Sequence, residues 1–267
     1  MNHLTKLALF EEKEIRRKWK DNDWYFCIED IVYALTNSSN PKEYIKKIRK
    51  RDIELKKGWG QIVHTLKFDT AGGKQYMNAS DTKGILRIIQ SIPSKKAEPF
   101  KQWLAQVGSE RVEEINNPEL AINRARSIYK QKGYNEQWIN QRMFGIESRN
   151  KITDEWQLRG ITQCKDYAIL TNQIYKSTFD YSTKELKKVK RITPQNKANL
   201  RDRMNPLELN ITSLAELTSQ ELHEKNNSFG KEELIKDVMD AGKIASNTRK
   251  SIEEKLEHSI ISEYKEK

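Results

Sequence analysis

The spacing of apolar positions changes along this chain. Up to about residue 117, short alternating runs are interleaved with helical stretches; beyond Asn117-Pro118 the alternating runs fade and helical spacing dominates. Leu7–Phe10 and Ile15–Trp19 are short apolar or alternating runs. Asp21-Asn22-Asp23 then supplies turn residues ahead of Trp24–Ile28, where Trp24, Phe26 and Ile28 alternate with Tyr25 and Cys27. This pattern predicts a β-hairpin. Glu29-Asp30 places acid at the positive end of a helix dipole, and a helix is expected from there to about Leu35. Thr36–Asn40 reads as a turn. Asn40-Pro41 then starts a second helix, to about Arg51, because Asn can accept from the free amides and proline fits the first helical position. Ile62–Phe68 and Gln75–Asn78 form a second expected hairpin, reversed through Asp69–Lys74, where Gly72 and Gly73 permit positive φ. Ser80 is the expected cap of a further helix with an apolar face of Ile85, Leu86, Ile88 and Ile89, stopped by Pro93. Pro99 opens another, with Phe100, Trp103, Leu104 and Val107 at helical spacing.

Helices are expected over Glu119–Lys132, Asn135–Arg149, Thr162–Ser177, Lys197–Lys225 and Lys231–Glu263, interrupted by Gly133, Gly145, Gly160 and Gly230, with joints at Thr193-Pro194 and Asn205-Pro206. In the last of them Leu234, Val238, Ala241, Ala245, Thr248, Ile252, Leu256 and Ile260 recur every three or four residues. Two arrangements produce such a stripe: a coiled-coil-like seam through Leu234–Ile260 in a homodimer, or packing on the Lys197–Lys225 helix of the same chain. The fold class that follows is an α+β N-terminal domain over residues 1–117, two β-hairpins with helices in a winged-helix-like order. An all-α C-terminal domain over residues 118–267 follows it, suited to assembly or partner contact.

Composition narrows the picture. The 36% apolar content is low beside 33% charged residues, yet six Trp, ten Tyr and seven Phe supply core anchors that disordered chains lack. No apolar run approaches the ~18–20 residues of a membrane span, and the N-terminus carries no export signal, so a cytoplasmic protein is expected. Cys27 and Cys164 lie far apart, with no His at metal-ligand spacing, and both are expected in the core. The net charge of +11 is uneven: residues 1–120 hold 22 Lys+Arg against 17 Asp+Glu, residues 121–205 hold 18 against 8, and residues 206–267 hold 9 against 13. A positive field attracts polyanions, nucleic acid above all, although a lysine-rich surface kept for solubility would carry the same sum. Position has to decide.

The order helix, turn, helix, hairpin resembles a helix-turn-helix with a wing, and its second helix, PKEYIKKIRKR, is amphipathic and basic. Tyr44, Ile45 and Ile48 share one face; Lys42, Lys46 and Lys50 line another at i, i+4, i+8, flanked by Lys47, Arg49 and Arg51. These cations, with Lys74 at the hairpin tip, are the expected DNA-binding residues. Arginine adds bidentate contacts to guanine edges; the alternative is that Lys and Arg are here merely good helix formers on a solvated face, with Asp52 and Glu54 balancing part of the charge. A second basic run, Lys184–Arg203, reads either as a linker laid along DNA or as a plain solvated linker. For catalysis the sequence offers scattered histidines (His3, His64, His223, His258) and none of the hydrolase, nucleotide-binding or zinc-protease signatures. No enzymatic activity, cofactor or metal is expected.

The run from Leu9 to Asp52, LFEEKEIRRKWKDNDWYFCIEDIVYALTNSSNPKEYIKKIRKRD, resembles the BRO family N-terminal domain at Trp24, Phe26, Asp30, Ile31, Val32 and Leu35. Gly72–Ile92 resembles that domain's second hairpin and following helix. Thr36-Asn37 departs from it, since family members often carry Gly and an aromatic there. Beyond this domain, LRDRMNPLELNITSLAELTSQELHEKN is similar to the helical tail of the bacterial DNA-damage-inducible protein D family. The resemblances imply a DNA-binding regulator of phage antirepressor or DNA-damage-response type, bacterial or phage-encoded and nucleoid-associated. They also imply a tail that meets a phage repressor or a recombinase filament. The alternative is a protein-interaction modulator that inhibits a repressor or recombinase filament without tight DNA binding.

Overall fold

The computed structural model describes residues 14–264, so the expected Leu7–Phe10 strand lies outside the described residues. The chain forms two compact units, Met1–Ala121 and Ile122–Lys267.

The first unit is α+β. β1 (Arg17–Lys20) and β2 (Asp23–Cys27) pair antiparallel with Lys20 opposite Asp23, so the connection is Asp21-Asn22. Both residues adopt positive φ, the conformation of the tight turn whose twist matches that of the strands, and Asp and Asn tolerate it best after glycine. β3 (His64–Thr70) and β4 (Gly73–Ser80) form the second hairpin, where Gly73 alone in the reversal takes positive φ. The sheet order is β1-β2-β4-β3, all antiparallel. The sheet curls: Lys18 Nζ on one edge strand donates to the Lys67 carbonyl on the other at 3.0 Å. Cys27, Leu66, Phe68 and Ala79 are buried together on one side of it. Burial pushes the Cys27 thiol up to about 12, which leaves it an inert core group.

Helices α1 (Ile28–Thr36), α2 (Pro41–Arg51), α3 (Ile53–Ile62) and α4 (Thr82–Gln90) enclose the larger core. In it Ile31 and Leu35 meet Ile45, Ile48, Leu55 and Ile88. Arg16, just before β1, grips Asp30 in α1 through Nε (2.8 Å) and Nη2 (2.5 Å), tying the sheet edge to the first helix. Helix α3 fills the stretch between Arg51 and Ile62, to which the sequence pattern assigned no element. Gly58 and Gly60 mask its helical signal in the sequence, but the Asp52 side chain caps the Leu55 amide at 2.8 Å and Leu55 is buried. A correction concerns α4: its cap is Asp81, which accepts from the Gly84 amide, while the Ser80 hydroxyl donates to the Ile62 carbonyl and joins α3 to the sheet. α5 (Glu98–Asn116) and α6 (Glu119–Gln131) follow.

The second unit is helical: α7 (Glu136–Leu158), α8 (Cys164–Phe179), α9 (Thr183–Val189), α10 (Pro206–Lys225) and α11 (Lys231–Leu256). Gly145 does not interrupt α7, whereas Gly160 and Gly230 do mark reversals at positive φ. Residues 197–205 are not helix α10, which starts at Pro206 behind a capping box of Asn205 and Glu208. α11 ends at Leu256, short of the expected Glu263. Cys164 is exposed at the head of α8 and not in the core.

The stripe on α11 is resolved in favour of its own chain. Leu234, Val238, Ala241 and Ala245 are wholly buried in the helical core with residues of α7, α8 and α10, and Ile260 folds back into it beyond the helix end. Those side chains are therefore occupied within the unit and offer no free seam to a second copy, while Thr248 and Leu256 of the same stripe stay exposed. Helices α8 and α11 touch through Gly242, where an added methyl carbon would fall 1.8 Å from Ser177 Oγ and 3.3 Å from its backbone carbon. Alanine favours a helix interior over glycine by about 1 kcal/mol. Gly242→Ala nevertheless should lower stability by about 1–3 kcal/mol, because the helices must separate. Urea denaturation followed by tryptophan fluorescence reads the sign directly.

Candidate nucleic-acid interface

Helix α2 is built to present cations. Asn40 Oδ1 accepts from the Glu43 amide at 3.1 Å and Pro41 occupies the first turn, which fixes where the helix begins. Ile45 and Ile48 then point into the core, Tyr44 is half-buried, and Lys42, Lys46, Lys47, Lys50 and Arg51 are exposed. Arg49 differs from these: half-buried, its guanidinium stacks on the Trp59 ring of α3 at 4.6 Å, so it packs one helix on the other. Lys46 lies 3.4 Å from Glu43 within the helix. Among the described residues, Lys42, Lys47, Lys50 and Arg51 have no carboxylate partner.

The two acids expected to balance this helix do not. Glu54 pairs with Lys57 at 2.8 Å inside α3. Asp52 turns the other way: one oxygen caps α3, and the other accepts from Ser91 Oγ (2.5 Å) and Arg87 Nη2 (2.8 Å) at the end of α4. The Ser91 hydroxyl first, then the Leu55 amide and the Arg87 guanidinium, hold the Asp52 carboxyl down at about 2, against a smaller opposing effect of burial.

Lys74 stands on a separate element, exposed on β4 directly after Gly73 and opposite Asp69 across the hairpin. Sequence reasoning passed over its neighbour Tyr76, which is 70% exposed, with Lys67 as its cross-strand partner and the Lys67 ammonium 5.8 Å from the ring. The signal was present in the alternation of the hairpin: Leu66 and Phe68 face inward, which turns Lys67 and Tyr76 outward. Lys56 and Lys57, exposed on α3, were missed along with that helix.

The second basic run is not a linker. Lys190 is wholly buried, its ammonium bonded to Glu208 and to the Ser262 carbonyl. Arg201 is buried against Glu216 and Tyr175, and Arg203 donates to the Lys190 and Arg191 carbonyls. Their partners, Glu208, Glu216 and Ser262, lie up to 72 residues away, so the interior role of these cations had no local sequence signal. Lys184, Lys187 and Lys188 remain on the surface. His223, also in the core, lies between the Trp156 indole (3.1 Å) and Asp237 (2.9 Å). Burial lowers its proton affinity, and the indole occupies Nε2, so the pair braces the core. Among the described residues no group of three His, Cys, Asp or Glu is placed to hold a metal, and no helix is long and apolar enough to cross a membrane.

Two helices joined by a four-residue turn, with an outward basic face on the second, are followed through α3 by a hairpin of a four-stranded antiparallel curled sheet, an α+β domain. Residues 14–110 match the model of the BRO family N-terminal domain, a family associated with DNA-binding regulators of the phage antirepressor type. The match covers the curled sheet and helices α1 to α4 and reaches into α5. No curated protein matches the chain.

Asp52 carries a pH prediction. Its folded carboxyl, near 2, titrates below the 3.8 of an ordinary Asp. Its stabilisation is therefore fully present above about pH 4 and is lost as pH falls through 2. Asp52→Ala should cost about 1 kcal/mol or more near neutrality through the lost cap alone. It should also flatten the decline in melting temperature between pH 4 and 2, which scanning calorimetry across that range measures.

Proposed function

We propose that this chain is a DNA-binding regulator of the phage antirepressor or DNA-damage-response type. Helix α2 lies along the DNA, and the β3–β4 hairpin reaches an adjacent groove or phosphate. The observation that carries the reading is the exposed set of Lys42, Lys47, Lys50 and Arg51, none with a carboxylate partner among the described residues, on a helix whose other face is anchored by Ile45 and Ile48. A rigid scaffold holds these charges at fixed spacing, so phosphate contacts form with little ordering cost, and each contact releases a counterion. Arg51 and the lysines supply register on the backbone, while base selection comes from whichever side chains enter the groove. The helical unit contributes partner contact, a reading supported by the likeness of residues 200–226 to the DNA-damage-inducible protein D tail. The reading is non-enzymatic.

Replacing Lys46, Lys47, Lys50 and Arg51 together with Ala should weaken duplex DNA binding at least about tenfold and reduce the salt slope by roughly 3 to 4. All four side chains are exposed, so the circular dichroism spectrum should stay unchanged. Fluorescence anisotropy across a salt series checks both numbers. Unaltered affinity overturns the α2 reading and favours the protein-interaction modulator.

Tyr76→Ala should act differently. Stacking on a base contributes about 1–3 kcal/mol without counterion release. The variant should therefore lose affinity for single-stranded DNA at an unchanged salt slope, and the same titration separates the two effects.

A further inference from the structure

The helical unit contains a cavity of about 390 Å³, within the range of small-molecule sites, between α7, α8 and the turn that precedes α10. Three guanidinium groups line it, from Arg142, Arg149 and Arg201, together with neutral polar groups that include Asn150, Thr171 and Asn199. Among the described residues no carboxylate lines it. The acids that serve these arginines stand behind them. Asp202 accepts from Arg142 Nε at 2.8 Å, and Glu216, wholly buried, is held by both Arg201 terminal nitrogens.

Arg149 is left over. Its Nη1 lies 3.8 Å from Glu216 Oε1, outside hydrogen-bond reach, and has no acceptor among the described residues, while Nη2 donates to the Thr171 hydroxyl at 2.5 Å. Its side chain is 24% exposed. Three guanidinium groups therefore share two carboxylates, and the unmatched positive charge sits in a concave, partly desolvated place. Burial accordingly lowers the Arg149 proton affinity. Glu216, already bonded to Arg201, and the Trp156 ring, 5.1 Å from the Arg149 guanidinium, offset this charge only in part, so an anion entering the cavity supplies the hydrogen-bonding partner that Nη1 lacks.

We infer that this cavity binds a small phosphate-bearing ligand through Arg149, with Arg142, Arg201 and the neutral donors around it. A tetrahedral oxyanion matches the site better than a planar carboxylate, because the groups that can donate come from three separate places, Arg149 and Asn150 on α7, Thr183 at the head of α9 and Asn199 in the turn, whereas the Thr171 hydroxyl already donates to the Tyr167 carbonyl. Asn199 illustrates the point: its Oδ1 is taken by the Arg201 amide at 2.9 Å, which leaves Nδ2 as a donor. The inference does not depend on DNA binding, since the cavity belongs wholly to residues 142–201.

The test uses the full chain, with inorganic phosphate as the probe and acetate as the carboxylate probe, both in chloride buffer at constant ionic strength. Isothermal titration should give a saturable heat with phosphate, and the melting temperature should rise with phosphate concentration. Acetate should produce neither. Arg149→Gln should weaken phosphate binding at least tenfold, and Lys187→Gln, an exposed cation outside the cavity, should leave it unchanged. If Arg149→Gln fails to fold, Asn199→Asp serves instead. It keeps the oxygen that accepts from the Arg201 amide but adds a negative charge at the rim, and should also weaken phosphate at least tenfold. No saturable phosphate binding, equal binding of acetate, or unchanged binding in Asn199→Asp overturns the inference.

Discussion

The basic face of α2 depends on a carboxylate that points away from it. Asp52 ends α2, caps α3 and is clamped at the end of α4 by Ser91 and Arg87. This single side chain fixes the angle at which α2 leaves the core, because its backbone belongs to the junction and its two oxygens belong to two other helices. It also directs the carboxylate next to Arg51 in the chain toward α3 and α4. A solvated Asp52 would lie beside the cations of α2 and screen them. Held in the clamp, it leaves the helix a clean donor of positive potential, as contact with a polyanion requires. The protonation range of Asp52 follows from the same geometry, so the charge pattern of the face and the acid tolerance of the fold share one cause.

The two units use positive charge in different ways. On α2 Lys42, Lys47, Lys50 and Arg51 are exposed and without a carboxylate partner among the described residues, and their effect is long-range attraction that salt weakens. In the helical unit Lys190, Arg201 and Arg142 are interior groups, each matched to an acid and the first two also to a backbone carbonyl, and they hold α7, α8, α10 and the chain end in register. Removing one partner from such a pair leaves a buried charge without compensation, which costs far more than the pair contributes while intact. Arg149 falls between these cases. It is too enclosed to act as a surface charge, yet it lacks an acid of its own, and that imbalance is why the cavity beside it favours an anion.

Much of the first unit was legible from its residues. Alternation located both hairpins, Asn40-Pro41 marked the start of α2 to the residue, and the spacing of Ile45 and Ile48 against the lysines identified which face would be wet. These features are local: a cap, a turn or an amphipathic stripe is complete within about a dozen residues, and composition alone specifies it. Helix α3 was not legible, because its two glycines argue against a helix and the contacts that form it, Leu55 in the core and Arg49 on Trp59, come from elsewhere in the chain.

The sequence by itself determined the fold class, the basic amphipathic nature of Pro41–Arg51 and the stripe on the last helix. Only the tertiary structure decided which charges are free. It turned Asp52 and Glu54 away from α2, took Lys190 and Arg201 out of an apparent basic linker into the core, and directed the Leu234–Ala245 stripe into its own bundle. The reason is physical. Periodicity records that a side chain must be buried or paired, whereas the identity of its partner is set by groups up to 72 residues distant that meet only when the chain has folded.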